Sequence, residues 1–245
     1  MELMVVISII ALLLSMTTPQ LIKAREQAQR IECQSNIRNL TFAWLQYSID
    51  NQDLLCSANT WWNIGGENNW VADGPDLPGN PFGGTEQAIK DGALWRYTTM
   101  IGIYKCRTDR SDLLRSYAMS RAMNGLTCEC PTDNIRPYRS YTSINRTSER
   151  LVFIDVFSRT RWIDGSFCPI EDIKAEPLKW SISNNMNITA RHGSGVNISL
   201  ADGHCEYLKW KDSRSEQLSE WEVCAIEASA NNADLPRLVE LIKGK

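Results

Sequence analysis

From Leu3 to Ile22 the chain carries no charged residue, and from Leu3 to Leu14 only Ser8 interrupts an apolar run. About 20 such residues are what a helix needs to cross the hydrocarbon core of a bilayer. In lipid the backbone must satisfy its own hydrogen bonds, which a single segment achieves only as a helix, so the start of the chain has one fold open to it. A cleaved secretory signal would begin with basic residues and end at a small-residue cleavage site; this chain opens Met-Glu and has no clean Ala-x-Ala. Residues 1–22 therefore read as a membrane anchor.

Past the anchor the pattern turns amphipathic without a break. Lys23, Arg25, Glu26 and Arg30 bring in charge, while Cys33, Ile37, Leu40, Trp44 and Tyr47 recur at steps of three and four, which lines them along one helical face. One helix from Glu2 to Asp50 would be about 75 Å long at 1.5 Å per residue. Residues 23–51 form its amphipathic half. Two residues disturb it. Pro19 removes a backbone donor and predicts a kink, which either merely redirects the chain or has a functional role. Glu2 places a carboxylate at the mouth of an apolar segment, where it either rests among headgroups or is held by a partner.

The run from Glu2 to Leu14, with Pro19 and the segment Lys23-Ala-Arg-Glu-Gln-Ala-Gln-Arg, resembles the amino-terminal helix of type IV pilins and type II secretion pseudopilins. The Glu2 to Pro19 spacing is the one that family uses. The resemblance implies that Glu2 pairs during assembly with the free amino terminus of a neighbouring subunit inside a helical filament. It also implies a basic leader removed by a prepilin peptidase, followed by amino-terminal methylation. Met1 stands where the residue before the glutamate would be, so the expectation is a true start upstream or a truncated copy.

Ser35-Asn36-Ile37-Arg38 and Tyr47-Ser48-Ile49-Asp50-Asn51 resemble the second half of that helix in a large bacterial subfamily of pseudopilin-like proteins. Further on, Tyr104-Lys-Cys106-Arg-Thr-Asp109 and Ser116-Tyr-Ala-Met119 followed by Asn124 look like that subfamily's "Tyr-x-Cys-Pro-x-Asp" and "Ser-Tyr-x-Met-Asn", with Arg107 in place of the proline.

Composition narrows the function from another side. A net charge of −3 offers no basic footprint for DNA or RNA, so no nucleic-acid partner is expected. Eight cysteines, Cys33, Cys56, Cys106, Cys128, Cys130, Cys168, Cys205 and Cys224, lie beyond the anchor. Behind a membrane anchor that even set suits an oxidising compartment and disulfides, with as many as about 105 full pairings and no basis for choosing one. A metal site is the less favoured reading: there is no Cys-x-x-Cys, Cys128-x-Cys130 is spaced too closely for a zinc knuckle, and His192 and His204 are the only histidines. No metal and no cofactor is expected.

Residues 52–212 read as a globular domain. Ser57 to Gly84, rich in Gly, Asn and Pro, reads as a long structured loop. Its Trp61, Trp62 and Trp70 either pack that loop onto the domain, the preferred reading, or offer a flat platform to a sugar ring. Leu151 to Asp155 predicts a buried strand. Val196, Ile198 and Leu200 alternate with Asn197 and Ser199, and Cys205 and Tyr207 continue on a return strand, with Asp202-Gly203 as the tight turn of a β-hairpin.

His192, nine residues and then Asp202-Gly203 match a carboxy-terminal signature of the same subfamily. Turn chemistry accounts for Asp202, and His192 has a structural reading as a group hydrogen-bonding across the hairpin. The alternative takes the pair as half of a hydrolase triad or of a metal site. No Gly-x-Ser-x-Gly, His-Glu-x-x-His or phosphate loop accompanies it. Residues 213–245 read as a helical tail, with Leu218, Trp221, Cys224 and Ile226, then Leu235, Leu238, Val239 and Ile242, packing on the domain or on a neighbouring subunit.

The expectation is an α+β chain: a long helix, half in lipid, packed on a small and mostly antiparallel sheet in a pilin-like layout. Its expected work is structural and not enzymatic. It would be a pseudopilin or minor pilin with a single pass through the inner membrane and its folded domain outside the cytoplasm. Its expected partners are copies of itself or other pilin-like subunits and an inner-membrane assembly platform. The alternatives are an anchored carbohydrate-binding module using the tryptophans and an anchored hydrolase using His192 and Asp202.

Overall fold

A computed structural model describes residues 2–60, 68–72, 85–125, 136–158, 165–168, 177–180, 186–218 and 228–243. Helix α1 runs without interruption from Glu2 to Asp50, with Pro19 inside it. Every residue from Leu3 to Ile22 is exposed, Leu13 to 57%. In the second half the predicted face is the buried one, and Cys33, Ile37, Leu40 and Trp44 are at most 1% exposed. One helix thus divides into a free apolar length and a docked length, and the division follows the point where charge enters the sequence.

The docked half lies on a mixed sheet. Its strands are β1 (Tyr117–Ser120), β2 (Leu151–Ser158), β3 (Ser166–Phe167), β4 (Met186–Ile188), β5 (Gly195–Leu200) and β6 (Cys205–Lys209). The order is β3-β1-β2-β5-β6, with β4 also on β2. Among the described strand pairings, β1–β3 is parallel and the rest are antiparallel. The predicted strand at 151–155 is there and reaches Ser158; the predicted hairpin is β5–β6, with Asn197 opposite Tyr207.

Strand alternation sorts the sheet's side chains between two cores. Tyr117, Met119 and Phe153 join Ile37, Leu40, Trp44, Trp70 and Tyr104 beneath α1. Ala118, Ile154, Val156, Val196, Ile198 and Leu200 point the other way. That second face is closed by the tail. Helix α2 (Glu86–Lys90) and helix α3 (Trp95–Thr98) precede the sheet, and α4 (Ser213–Gln217) and α5 (Leu235–Lys243) follow it. Leu238, Leu241 and Ile242 of α5 are buried in the same core as the β5 aliphatics. The described part of the tail packs on its own domain. Trp221, Cys224 and Ile226 lie outside the described residues.

Hydrogen bonds to the β5–β6 hairpin hold α1 in register. Asn197 Nδ2 donates to Arg30 O at 3.1 Å, Thr41 Oγ1 donates to Ser199 Oγ at 2.7 Å, and Gln34 Nε2 donates to Cys205 O at 3.0 Å. At the hairpin turn Gly203 has φ +88°, and a Cβ there would stand 3.1 Å from the Phe42 ring of α1. Glycine is required twice over, by the turn and by the helix it abuts.

Candidate functional site

Between α1 and the sheet lies a cluster of ionisable side chains that the sequence pattern does not suggest. Cys33 comes from the docked face of α1, and Cys106 from the turn after a 3₁₀ helix over Ile101–Tyr104. Asp155 is central in β2, on the α1 side, opposite Tyr117 of β1. His192 occupies the turn before β5, where Gly193 (φ +71°) and Ser194 (φ +67°) are both left-handed. One ligating atom from each of the four, Cys33, Cys106, Asp155 and His192, lies within 4.8 Å of all the others.

The contacts are specific. Cys106 Sγ is 3.3 Å from His192 Nε2, Asp155 Oδ2 is 3.6 Å from that same nitrogen, and Cys33 Sγ is 3.6 Å from Asp155 Oδ2. Surrounding groups fix each one. Tyr117 Oη donates to Cys33 Sγ at 3.3 Å, and Thr108 Oγ1 lies 3.0 Å from Cys106 Sγ. The other Asp155 oxygen, Oδ1, is taken by Arg191 Nη1 at 2.5 Å, and Arg191 Nη2 reaches Asp109 at 3.2 Å. Asp109 accepts from Ser116 Oγ at 2.6 Å, and Ser116 Oγ in turn accepts from the Cys106 amide at 3.0 Å.

Protonation follows from this packing. Burial, with the neighbouring Cys106, holds the Cys33 thiol well above its ordinary range. Cys106, hydrogen-bonded by Cys33 and then by His192 and Thr108, is drawn down to about 4 against the cost of its own burial. For His192, burial opposes the charged ring, but the contacts to Asp155 and Cys106 outweigh it and raise it to about 9. Burial raises the Asp155 carboxyl while Arg191 pulls the other way. The cluster thus combines a thiol that burial keeps protonated, Cys33, with a neighbour drawn toward the thiolate, Cys106, beside one guanidinium.

His192 and Asp202, paired in the sequence by their spacing, are not together in space. They flank β5, whose six residues alone span roughly 20 Å at 3.3 Å per residue. Asp202 sits in the hairpin turn and accepts from the His204 amide at 2.9 Å. Its nine-residue distance from His192 is therefore the length of a strand plus its two turns. It is the His192 backbone that bonds across the hairpin, accepting from Tyr207 Oη at 2.7 Å, while its ring turns toward α1. Trp70 is fully buried, stacked on Tyr104 with ring centroids 6.3 Å apart, and donates to Gly165 O at 3.2 Å. It packs the loop onto the domain; Trp61 and Trp62 lie outside the described residues.

Among the cysteines, Cys33, Cys56, Cys106 and Cys205 are free thiols, and Cys168 is buried in the second core. Cys128, Cys130 and Cys224 lie outside the described residues. Glu2 opens α1 and Pro19 lies within its exposed half.

The sequence signal that could have found the cluster is faint. Cys33 and Asp155 are 122 positions apart and Cys106 and His192 are 86 apart, so no local motif unites them. The hints are separate: Cys33 lies on the buried stripe of an otherwise aliphatic and aromatic helical face, and His192 is marked by its spacing to Asp202, with a metal site among its alternative readings. Compared with known proteins, the chain matches no family model, no curated protein and no solved structure. Among the described residues, one helix is long and apolar enough to span a membrane, and a small mixed sheet docks on its second half.

Proposed function

We propose that the chain is a membrane-anchored structural subunit of the pseudopilin or minor pilin kind, which assembles into a filament through α1. One observation carries this reading: α1 is a single helix whose first half is apolar and wholly exposed while its second half is the spine of a folded domain. The free half is long enough to sit in a bilayer before assembly. The same surface can pack against copies of itself in a filament core, where burial contributes roughly 25 cal/mol per Å².

In this reading the sheet and tail form a cap outside the cytoplasm, on the outer layer of the assembly. Partners are further copies or other pilin-like subunits, delivered by an inner-membrane platform. The role of Glu2 is to neutralise the amino terminus of the next subunit, which removes a lone charge from apolar surroundings. The test is Glu2→Ala in the organism's own membrane. The variant should insert and fold, as read by membrane fractionation and protease resistance of the domain, yet fail to enter filaments. Filaments of normal abundance would overturn the reading.

A further inference from the structure

We propose that Cys33, Cys106, Asp155 and His192 are the four ligands of a structural metal site that takes one thiophilic divalent cation, zinc foremost, and fastens α1 to the sheet. The proposal stands on donor geometry and is independent of the filament reading.

Three edges of the donor cluster are known: 3.3 Å from sulfur to nitrogen, 3.6 Å from sulfur to oxygen and 3.6 Å from nitrogen to oxygen. A tetrahedral zinc with bonds of about 2.3 Å to sulfur and about 2.0–2.2 Å to nitrogen and oxygen has corresponding edges of about 3.4–3.6 Å. The observed edges already have tetrahedral size, and no pair exceeds 4.8 Å.

The direction of the contacts separates this from catalysis. A Cys-His-Asp relay passes a proton through the ring, with the nucleophile on one imidazole nitrogen and the carboxylate on the other. Here Cys106 Sγ and Asp155 Oδ2 both face Nε2. Donors that converge on the same side of the ring surround a point and do not form a chain. The site is also buried: the side chains of His192 and Asp155 are 1% and 0% exposed. Closed, four-ligand sites are the structural kind.

The outer contacts fit a metal as well. Arg191 occupies Asp155 Oδ1 and leaves Oδ2 to the cluster, while Thr108 and Tyr117 hydroxyls address the two sulfurs. Such second partners orient ligands and tune their basicity. Two thiolates select zinc over calcium or magnesium, which prefer oxygen. Both cysteines would bind as thiolates and the ring as neutral imidazole, their protons leaving to buffer. The four ligands come from α1, the turn after the 3₁₀ helix, β2 and the turn before β5, so one ion would tie the helix to the sheet at its centre.

The test uses the full chain, purified in detergent under reductant and loaded with Zn²⁺ alone, then with Co²⁺ alone. We expect one zinc per chain to survive gel filtration, by mass-spectrometric metal analysis, and Co²⁺ to give the intense visible bands and sulfur charge-transfer absorption of a tetrahedral thiolate site. Cys106→Ser and His192→Ala should lose both signatures. Thr108→Val, which spares every ligand, should fold and bind about 10-fold more weakly. Because ligand variants can fail to fold, the wild-type chain carries a second readout: zinc should shield Cys33 and Cys106 from alkylation and chelator should expose them. Substoichiometric zinc, a six-coordinate cobalt spectrum, or a Cys33–Cys106 disulfide in protein isolated without reductant would overturn the assignment.

Discussion

Thr41 on α1 hydrogen-bonds Ser199 on β5 at 2.7 Å, and both residues are fully buried. Ser199 Oγ also accepts from the Phe153 amide at 3.1 Å, so one hydroxyl joins the helix to two strands. Polar residues on a strand commonly face water, but here they form the interface on which the helix docks. Ser199→Ala would leave the Phe153 amide and the Thr41 hydroxyl without that partner. The expected loss is roughly 1–3 kcal/mol in urea unfolding of the detergent-solubilised chain.

The two halves of α1 should respond differently to truncation. Trp44 is fully buried, so Trp44→Ala should cost about 3–5 kcal/mol. Leu13 is 57% exposed, so Leu13→Ala should change domain stability by no more than about 0.5 kcal/mol. Both are read in one denaturant series, and equal losses would mean that the exposed half also supports the fold.

The division between those halves was legible in the sequence because helical periodicity and the onset of charge are local signals. So were the strand at 151–155 and the hairpin at 195–209, where alternation and an Asp-Gly turn fall within a few residues. The cluster was not legible. Its members are drawn from four separate segments, and only the path of the sheet beneath α1 brings Cys106 and Asp155 to Cys33. The nine-residue spacing from His192 to Asp202 invited a reading as one site, yet the rise along β5 makes it a distance between two sites: a ring in the cluster and a turn against Phe42. The closing of the sheet's second face by α5 was likewise beyond periodicity, which marks an apolar face without naming what it meets.

Gly203 tests the turn directly. With φ +88° and the Phe42 ring 3.1 Å from a built Cβ, Gly203→Ala should destabilise the chain by about 1–2 kcal/mol. Thermal unfolding should show a lower Tm together with loosened protease protection of α1 near Phe42.

Arg191 bridges Asp155 and Asp109 with its side chain only 12% exposed. Arg191→Met removes the guanidinium and leaves two buried carboxylates facing each other. The expected cost is about 3–5 kcal/mol, measured in the presence of chelator so that the ion pairing alone is read.

The central claim is that the exposed half of α1 meets its like. The most direct measurement places a photo-cross-linking amino acid at Leu13 in the full chain, reconstituted in vesicles, with a second probe at exposed Asp202 as a control. Irradiation should join chains into a ladder through Leu13 and not through Asp202, and Glu2→Ala should erase the ladder while leaving the chain inserted. Leu13 adducts to lipid alone, at protein densities where the vesicles are crowded, would contradict the account.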